Sequence, residues 1–219
     1  MTDDFKQKKE KLSVADLYVV TSESLSAGRT SLEVLDAVIL AGVRIVQLRE
    51  KEKTKGDLYR LAVEFRKRTQ EAGTLLIIND HVDVALAAGA DGVHLGRSDM
   101  PIDAARRIAP NLLIGASSHN VEQALEAESA GADYINIGPV FKTLTKPEHQ
   151  NFVGPEMVAK VVGQVQIPVS CMGGINQSNI AAVVGAGPGM VAVVTAVTQA
   201  SDMRKAAEEL RNFLLEARS

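Results

Sequence analysis

The feature that most constrains the fold is a pattern that occurs four times along the chain. In each copy an amphipathic stretch ends in Ala-Gly, and a short apolar run follows. A glycine just past a helix supplies the left-handed conformation that ends it, and apolar runs with little alternation are typical of strands covered on both faces. The pattern therefore predicts repeated helix–strand units around a parallel sheet, at Ala41-Gly42, Ala88-Gly89, Ala130-Gly131 and Ala186-Gly187.

Eight strand candidates can be placed from these anchors, with helical patterns between them. They are Leu17–Thr21, Ile45–Arg49, Leu75–Asn79, Gly92–Leu95, Leu113–Ala116, Tyr134–Gly138, Pro168–Met172 and Met190–Thr195. Three of the helical patterns open at residues suited to capping a helix, namely Thr30, Thr54 and Asn120. Strict alternation of strands and helices with short links indicates a parallel sheet. The pattern favours an α/β fold of the (β/α)8 TIM barrel type, and an open doubly wound sheet is the alternative.

The length and composition fit a single globular domain. The chain has 219 residues, and barrels of this type need about 200 or more. We therefore predict one barrel domain over 1–219, with a charged N-terminal extension over 1–16 that forms an extra helix or a frayed arm. A net charge of −3, 4% aromatic residues and no Trp argue against a nucleic-acid partner.

Cysteine content and hydropathy indicate the cellular location that we expect for the chain. Cys171 is the only cysteine, so an internal disulfide is excluded, as expected in a reducing compartment. The N-terminal residues lack the apolar core of a signal peptide, and no apolar run reaches the roughly 18 residues of a membrane span. We expect a cytoplasmic location, small-molecule partners and no membrane partner, and we leave a homo-oligomer open.

Polar residues are sparse inside the strand candidates and dense where the strands end. In a (β/α)8 barrel the functional groups lie at the carboxyl ends of the strands. Cations and hydroxyl groups there suit phosphate oxygens, namely Arg49, Lys51, Ser117, Thr143, Thr145 and Lys146. Gln47 and Asn79 suit a polar ring or a phosphate. Gly173-Gly174 before a helix suits a second phosphate, because exposed N–H groups and the helix dipole favour anions.

Two carboxylates follow neighbouring strands in this inventory. Asp80 and Asp99, together with diphosphate oxygens, would make a natural Mg²⁺ site, since this ion takes oxygen ligands and keeps waters. The alternative interpretation makes each of them a helix cap. The four histidines show no metal-ligand spacing and favour structural roles, and Cys171 favours a buried position. The segment Lys142–Asn151, polar and next to the predicted phosphate groups, is expected to be a lid.

These strand ends resemble the thiamine phosphate synthase family. The matching stretches are VQLREK (Val46–Lys51), Ile77–Gly96 with Asp99, GASSHN (Gly115–Asn120), Ala130–Lys146, Gly173–Ile175 and Val191–Ala196. The resemblance implies a transferase that joins a 4-amino-2-methyl-5-(diphosphooxymethyl)pyrimidine to thiazole phosphate, or to its carboxylated form. It implies thiamine phosphate and pyrophosphate as products, with Mg²⁺ assisting a dissociative displacement.

The resemblance also implies roles for individual residues. The pyrimidine diphosphate would be held by Gln47, Arg49, Lys51, Asn79, Ser117 and Lys146. Asp80 and Asp99 would hold Mg²⁺. The thiazole phosphate would contact Thr143, Thr145, Gly173, Gly174, Val194 and Thr195. We assign the catalytic roles to Lys51, Ser117 and Lys146.

The chain departs from the family pattern at a few positions. Arg97 stands where Gln is expected, Ser-Cys-Met precedes the glycine pair, Thr195 replaces Ser, and Pro188 interrupts the last helix–strand link. Two rival functions are kept. One is a related barrel that isomerises a thiazole carboxylate phosphate, which would not need the acidic pair together with the cation cluster. The other is a barrel that binds a phosphorylated ligand without turnover.

Overall fold

The computed structural model describes residues 2–143 and 151–217 and shows a closed barrel. Its strands are β1 (Leu17–Thr21), β2 (Ile45–Leu48), β3 (Leu75–Asn79), β4 (Gly92–Leu95), β5 (Leu113–Ser118), β6 (Tyr134–Ile137), β7 (Val169–Met172) and β8 (Met190–Val193). They pair in sequence order, all parallel, and β8 closes the ring on β1. The predicted barrel is confirmed, and the open sheet is excluded.

Helices alternate with these strands around the outside of the barrel. They are α1 (Asp3–Ser13), α2 (Ser31–Leu40), α3 (Lys55–Ala72), α4 (Val82–Ala87), α5 (Ile102–Ile108), α6 (Val121–Ser129), α7 (Gly154–Val162), α8 (Ile180–Val184), α9 (Thr195–Thr198) and α10 (Met203–Glu216). A short 3-10 helix (Glu23–Leu25) follows β1. Side-chain caps begin several helices as the sequence predicts, at Thr30, Thr54 and Asn120.

Several strand ends differ from the predicted bounds by a residue or two. β2, β6 and β8 end before Arg49, Gly138 and Val194, so these residues belong to the loops over the barrel mouth. β5 is longer than predicted because Ser117 and Ser118 stay paired with Asn136 and Ile137 of β6. The polar residues at the mouth therefore lie partly on strand ends, such as Asn79 on β3 and Ser117 on β5, and partly on the loops that follow the strands.

The core has an outer and an inner layer. The outer layer packs the helices against the barrel wall, through residues such as Leu35, Phe65 and Ile114. The inner layer fills the barrel with inward-facing side chains, among them Tyr18, Ile77 and Tyr134. Apolar burial in both layers is the main stabilising contribution to such a fold.

The N-terminal segment closes the bottom of the barrel. Helix α1 begins at the Thr2 cap, and its Phe5 and Leu12 are buried in the inner core layer. Lys9 Nζ lies 2.9 Å from Asp133 Oδ1, at the start of the β6 region. The extension is thus a packed helix rather than a frayed arm, and the open end of the barrel is the opposite one.

Candidate active site

A cavity of about 370 Å³ lies over the carboxyl ends of the strands. This is the end where barrels of this type carry their function. Each predicted substrate or metal residue within the described ranges lines it: Gln47, Arg49, Lys51, Asn79, Asp80, Asp99, Ser117, Thr143, Gly173, Gly174, Val194 and Thr195. The fold therefore brings together groups that are far apart in the chain.

The floor of the cavity has a polar half and an apolar half. Successive residues of a strand point to opposite faces, so every second residue faces inward, and the last inward residue of each strand contributes to the floor. From β2 to β6 these residues are polar: Gln47, Asn79, His94, Ser117 and Asn136. The other side is apolar, with Val20, Met172, Ala192 and Val194. A flat ring with polar substituents on one edge would fit such a floor.

Arg49 and Lys51 supply positive charge on the β2 side. Lys51 Nζ lies 3.7 Å from Asp80 Oδ2. Burial lowers the pKa of the half-buried Arg49, while the nearby Asp80 and Glu50 carboxylates act in the opposite direction. A guanidinium keeps its charge in proteins, so Arg49 remains a cation at the cavity wall.

Glu50, the residue between these two cations in the chain, connects their loop to the loop after β1 through hydrogen bonds. Its carboxylate accepts hydrogen bonds from the backbone N–H of Glu23, at 3.0 and 3.2 Å, and from the Ser31 hydroxyl. Lys53 Nζ in turn lies 2.8 Å from Glu23 Oε2. Burial raises the pKa of Glu50, and the hydrogen bonds from Ser31 and Glu23 oppose that rise. This residue faces away from the cavity and positions the Arg49–Lys51 segment, a role that the sequence analysis missed.

Asp80 and Asp99 meet over the mouth of the barrel. Asp80 follows β3 with φ +63°, an uncommon conformation that Asp tolerates better than most residues. Its backbone N–H donates to the His94 carbonyl at 2.9 Å, and Asp99 Oδ2 accepts from the Gly96 N–H at 2.7 Å. The N-cap residues of α4 and α5 are His81 and Pro101, and neither makes a side-chain cap hydrogen bond. The structure therefore does not support the capping interpretation for either aspartate.

The acidic pair has the electrostatics of a cation site. Burial raises the pKa of Asp80, the neighbouring Asp99 carboxyl raises it further, and Lys51 opposes both. Close carboxylates favour a shared proton or a cation between them. Within the described ranges no group of three or more His, Cys, Asp or Glu side chains could hold a metal. Two carboxylates with remaining positions for ligand oxygens and waters fit Mg²⁺.

The glycine pair forms a turn against the loop that follows β6. Gly173 has φ +108°, and a Cβ atom there would lie 2.6 Å from Pro139 Cα. At Gly174, with φ +66°, a Cβ atom would lie 2.3 Å from the Lys142 carbonyl oxygen. Helix α8 begins only at Ile180, so the expectation that the pair lies at a helix N-terminus is wrong. Both positions need glycine because the chain passes too close for a side chain.

The remaining predicted residues lie at the edge of this turn or outside the described residues. Thr143 lines the cavity next to the glycine turn, and Val194 and Thr195 line it where α9 begins. Thr145, Lys146 and most of the predicted lid, residues 144–150, lie outside the described residues.

Arg97 also lines the cavity, with its Nη1 atom 3.7 Å from Glu126 Oε2. Cys171 is fully buried on β7, as predicted, and burial raises its pKa.

A chain of hydrogen bonds runs beneath the floor and was not predicted. Gln47 Nε2 donates to the Tyr18 hydroxyl at 2.6 Å, and the Tyr18 and Tyr134 hydroxyls lie 2.9 Å apart. His94 Nδ1 lies 3.2 Å from the Tyr134 hydroxyl, and His94 Nε2 lies 2.9 Å from Ser117 Oγ. The period-2 spacing of Tyr134 with Asn136, and of His94 with Gly96, is the signal that could have placed these residues inside the barrel.

Comparison with known proteins identifies the family. A family model described as thiamine monophosphate synthase matches residues 17–197. The chain belongs to this family. The thiamine-phosphate synthase of Chloroflexus aurantiacus is 47% identical over 195 residues, which cover 89% of this chain and 90% of the relative. That of Pyrococcus abyssi is 44% identical over 200 residues, covering 91% and 95%.

Solved structures agree with the sequence relatives. A thiamine phosphate pyrophosphorylase from Pyrococcus furiosus is 40% identical, with a TM-score of 0.88, covering 96% of this chain and 100% of the other. A 3-hexulose-6-phosphate synthase, 21% identical with a TM-score of 0.69, shares the fold alone. The predicted family and the predicted enzyme class, a thiamine phosphate synthase, are therefore confirmed. The synthase is favoured over the isomerase. None of the described helices is long and apolar enough to span a membrane.

Proposed function

We propose that this thiamine phosphate synthase binds both substrates in the cavity over the barrel mouth and releases pyrophosphate with the help of Mg²⁺. The observation that carries the proposal is the meeting of Asp80 and Asp99 beside Lys51, at the edge of a floor that has polar side chains on one half. The partners are small molecules, the pyrimidine diphosphate and thiazole phosphate or its carboxylated form.

The pyrimidine diphosphate is assigned to the β2–β5 side. Gln47, Asn79 and Ser117 lie on the polar half of the floor and would contact the ring and its substituents. Arg49 and Lys51 would contact diphosphate oxygens through charge-assisted hydrogen bonds. Asp80 and Asp99 would hold Mg²⁺, which neutralises charge on the departing pyrophosphate. Lys146, outside the described residues, is proposed as a further cation at the diphosphate.

The thiazole phosphate is assigned to the side of the glycine turn. Gly173 and Gly174 line the cavity at this wall, where the backbone of a residue without a side chain can approach a phosphate. Thr143 and Thr195 carry hydroxyl groups at the same wall, and Val194 adds apolar contact. Thr145 is proposed to belong to the same group. With this assignment the thiazole would lie beside the apolar half of the floor.

The reaction needs positioning and charge neutralisation rather than a protein nucleophile. The bond between the pyrimidine methylene carbon and the diphosphate oxygen breaks, and its electron pair leaves with pyrophosphate. The lone pair of the thiazole nitrogen then forms the new bond to that carbon. Lys51 and Lys146 are assigned to the leaving group, because preorganised cations stabilise the charge that develops there. Ser117 is assigned to the pyrimidine ring, which it holds in place while the pyrophosphate departs.

The test replaces each member of the acidic pair by its amide. Asp80→Asn and Asp99→Asn should stay folded and still bind thiazole phosphate in calorimetry. Turnover should collapse, and the Mg²⁺ concentration for half-maximal rate should rise sharply. Asp83→Asn is the matched control, because Asp83 is exposed on α4 and pairs with Lys55. Near-normal turnover of both amide variants at low Mg²⁺ would refute the metal assignment and favour a binder without turnover.

A further inference from the structure

The hydrogen-bond chain beneath the floor connects two opposite sides of the cavity. Its ends, Gln47 on β2 and Ser117 on β5, both line the cavity. Its inner members, Tyr18 and Tyr134, are fully buried in the barrel, and His94 is 5% exposed. Four contacts of 2.6 to 3.2 Å join the five side chains into one continuous path.

The barrel is built to accommodate this path. Gly115 lies on β5 beside Tyr134 of β6, and the two are partners in the strand register. A Cβ atom at Gly115 would lie 2.1 Å from Tyr134 Cζ and 2.3 Å from its hydroxyl oxygen. The Tyr134 ring also packs edge-on against Tyr18, with ring centroids 6.1 Å apart. The absence of a side chain at Gly115 therefore allows the Tyr134 hydroxyl to reach between Tyr18 and His94.

The donors and acceptors along the path all point in one direction, from Gln47 to Ser117. Gln47 Nε2 donates to the Tyr18 hydroxyl, so the one proton of Tyr18 goes to its other contact, the Tyr134 hydroxyl. The proton of Tyr134 then goes to His94 Nδ1. His94 consequently carries its ring proton on Nε2, which faces Ser117 Oγ. If the path ran in the opposite direction, Tyr134 would donate to Tyr18, and the Tyr18 proton would have no acceptor among the described residues that Tyr18 contacts. Buried polar groups in native proteins are rarely left in that state.

We propose that this path is a positioning device that fixes which groups the cavity floor presents to its ligand. Gln47 presents its carbonyl Oε1 as an acceptor, because the N–H that it donates to Tyr18 fixes the amide nitrogen on the side of the barrel interior. Ser117 accepts from His94 and therefore turns its own hydroxyl proton toward the cavity as a donor. His94 and Tyr134 are the positioning residues that couple the two ends.

This pattern specifies the chemistry of the ligand. An acceptor on the β2 side and a donor on the β5 side match a flat ring that carries an N–H donor near one edge and an acceptor nitrogen or oxygen near another. An aminopyrimidine has both features. The inference rests on the proposed placement of the pyrimidine diphosphate over the polar half of the floor. It adds which position on that half donates a hydrogen bond to the ring and which position accepts one.

Two variants of His94 separate the ends of the path. In His94→Gln the amide nitrogen takes the place of Nε2 and can still donate to Ser117, while the contact with Tyr134 is lost. In His94→Asn the amide oxygen takes the place of Nδ1 and can still accept from Tyr134, while the contact with Ser117 is lost. Each variant thus keeps one of the two contacts, so their stabilities should be similar. Urea denaturation of both checks this.

The kinetic result should differ between the two variants. Because the donor role of Ser117 depends on Nε2, His94→Asn should lose about ten-fold or more in kcat/KM for the pyrimidine diphosphate relative to His94→Gln, the size expected for one hydrogen bond to a charged or polar ligand. The KM for thiazole phosphate should be alike in both. Equal kcat/KM values for the pyrimidine diphosphate, at equal stability, would overturn the proposal.

A spectroscopic measurement tests the direction without any substrate. The ¹⁵N shifts of the His94 ring in the unmodified protein should show a protonated Nε2 and an unprotonated Nδ1, and they should lose that signature in Tyr134→Phe. A ring protonated at Nδ1 alone would reverse the path and overturn the proposal. An unmodified protein that forms no thiamine phosphate would instead contradict the proposed function, so the two failures can be distinguished.

Discussion

Tyr134→Phe should destabilise the fold through the partners that it leaves behind. The substitution keeps the ring and removes one hydroxyl, which contacts the Tyr18 hydroxyl at 2.9 Å and His94 Nδ1 at 3.2 Å. Tyr18 and Tyr134 are fully buried, and His94 is nearly so. Water therefore cannot replace the lost contacts.

The magnitude follows from these two orphaned groups. A buried donor or acceptor left without a partner costs about 1–3 kcal/mol, so two of them give a loss of about 2–6 kcal/mol in the free energy of unfolding. Tyr18→Phe should cost a similar amount, because Tyr18 contacts both Tyr134 and the Gln47 amide. The double variant should lose less stability than the sum of the two single losses, because it keeps neither tyrosine hydroxyl and so neither can be left without a partner.

Urea denaturation followed by circular dichroism measures all three variants. Tyr59→Phe is the control, because it makes the same chemical change at a side chain that is 41% exposed, where a change within about 0.5 kcal/mol is expected. Additive losses in the double variant, or a loss for Tyr134→Phe no larger than that of the control, would refute the reasoning.

Three further predictions concern other parts of the molecule. Lys146→Ala should lower the rate with the pyrimidine diphosphate by about ten- to hundred-fold, the effect of losing a charge-assisted contact of about 1.5–3 kcal/mol. It should change thiazole phosphate binding little, and steady-state kinetics with unchanged constants for the diphosphate would contradict the assignment. Gly115→Ala should cost about 1–3 kcal/mol of stability or more because its Cβ meets the Tyr134 ring. Gly163→Ala, where φ is −75° and contacts are ordinary, should cost far less in the same denaturation series. Arg211→Leu should cost about 3–5 kcal/mol, because Asp16 is fully buried and the Arg211 Nε and Nη2 atoms contact its carboxylate at 2.9 to 3.1 Å. Arg204→Leu, at an exposed pair on the same helix, should stay within about 1 kcal/mol, and equal thermal shifts for the two would show that burial of Asp16 is not the cause.

Local signals in the sequence predicted the eight strands and favoured the barrel, and the closure of the sheet was decided only by the structure. The Ala-Gly helix ends and the apolar runs set eight strands with helices between them, because turn conformation and hydrophobic burial depend on residues that are close in the chain. The same logic located the helix caps at Thr30, Thr54 and Asn120. Since parallel strands in a barrel share one carboxyl end, the polar residues at the strand exits could be assigned to one site from their positions in the chain alone.

Contacts between distant segments could be seen only in the tertiary structure. The path from Gln47 to Ser117 passes through Tyr18, Tyr134 and His94, which come from β1, β6 and β4. Each of these looks like an ordinary strand residue in the sequence, because hydrogen-bond partners depend on which strands become neighbours across the barrel. The glycine pair shows the same limit. Its sequence predicts a phosphate turn at a helix start, whereas the close approach of Pro139 and Lys142 is what requires Gly173 and Gly174.

For this chain, then, the order of residues determined the alternation of strands and helices, the enzyme family and the polar residues that follow the strands, because periodicity and motif spacing are properties of the sequence itself. The tertiary structure decided how those side chains act on one another. It brought Asp80 close to Asp99 and Lys51, and it connected His94 to Ser117. It also buried Glu50, which lies between Arg49 and Lys51, against the Ser31 hydroxyl. Distances and burial set the strength of electrostatic and hydrogen-bonding interactions, and both arise only when the barrel closes.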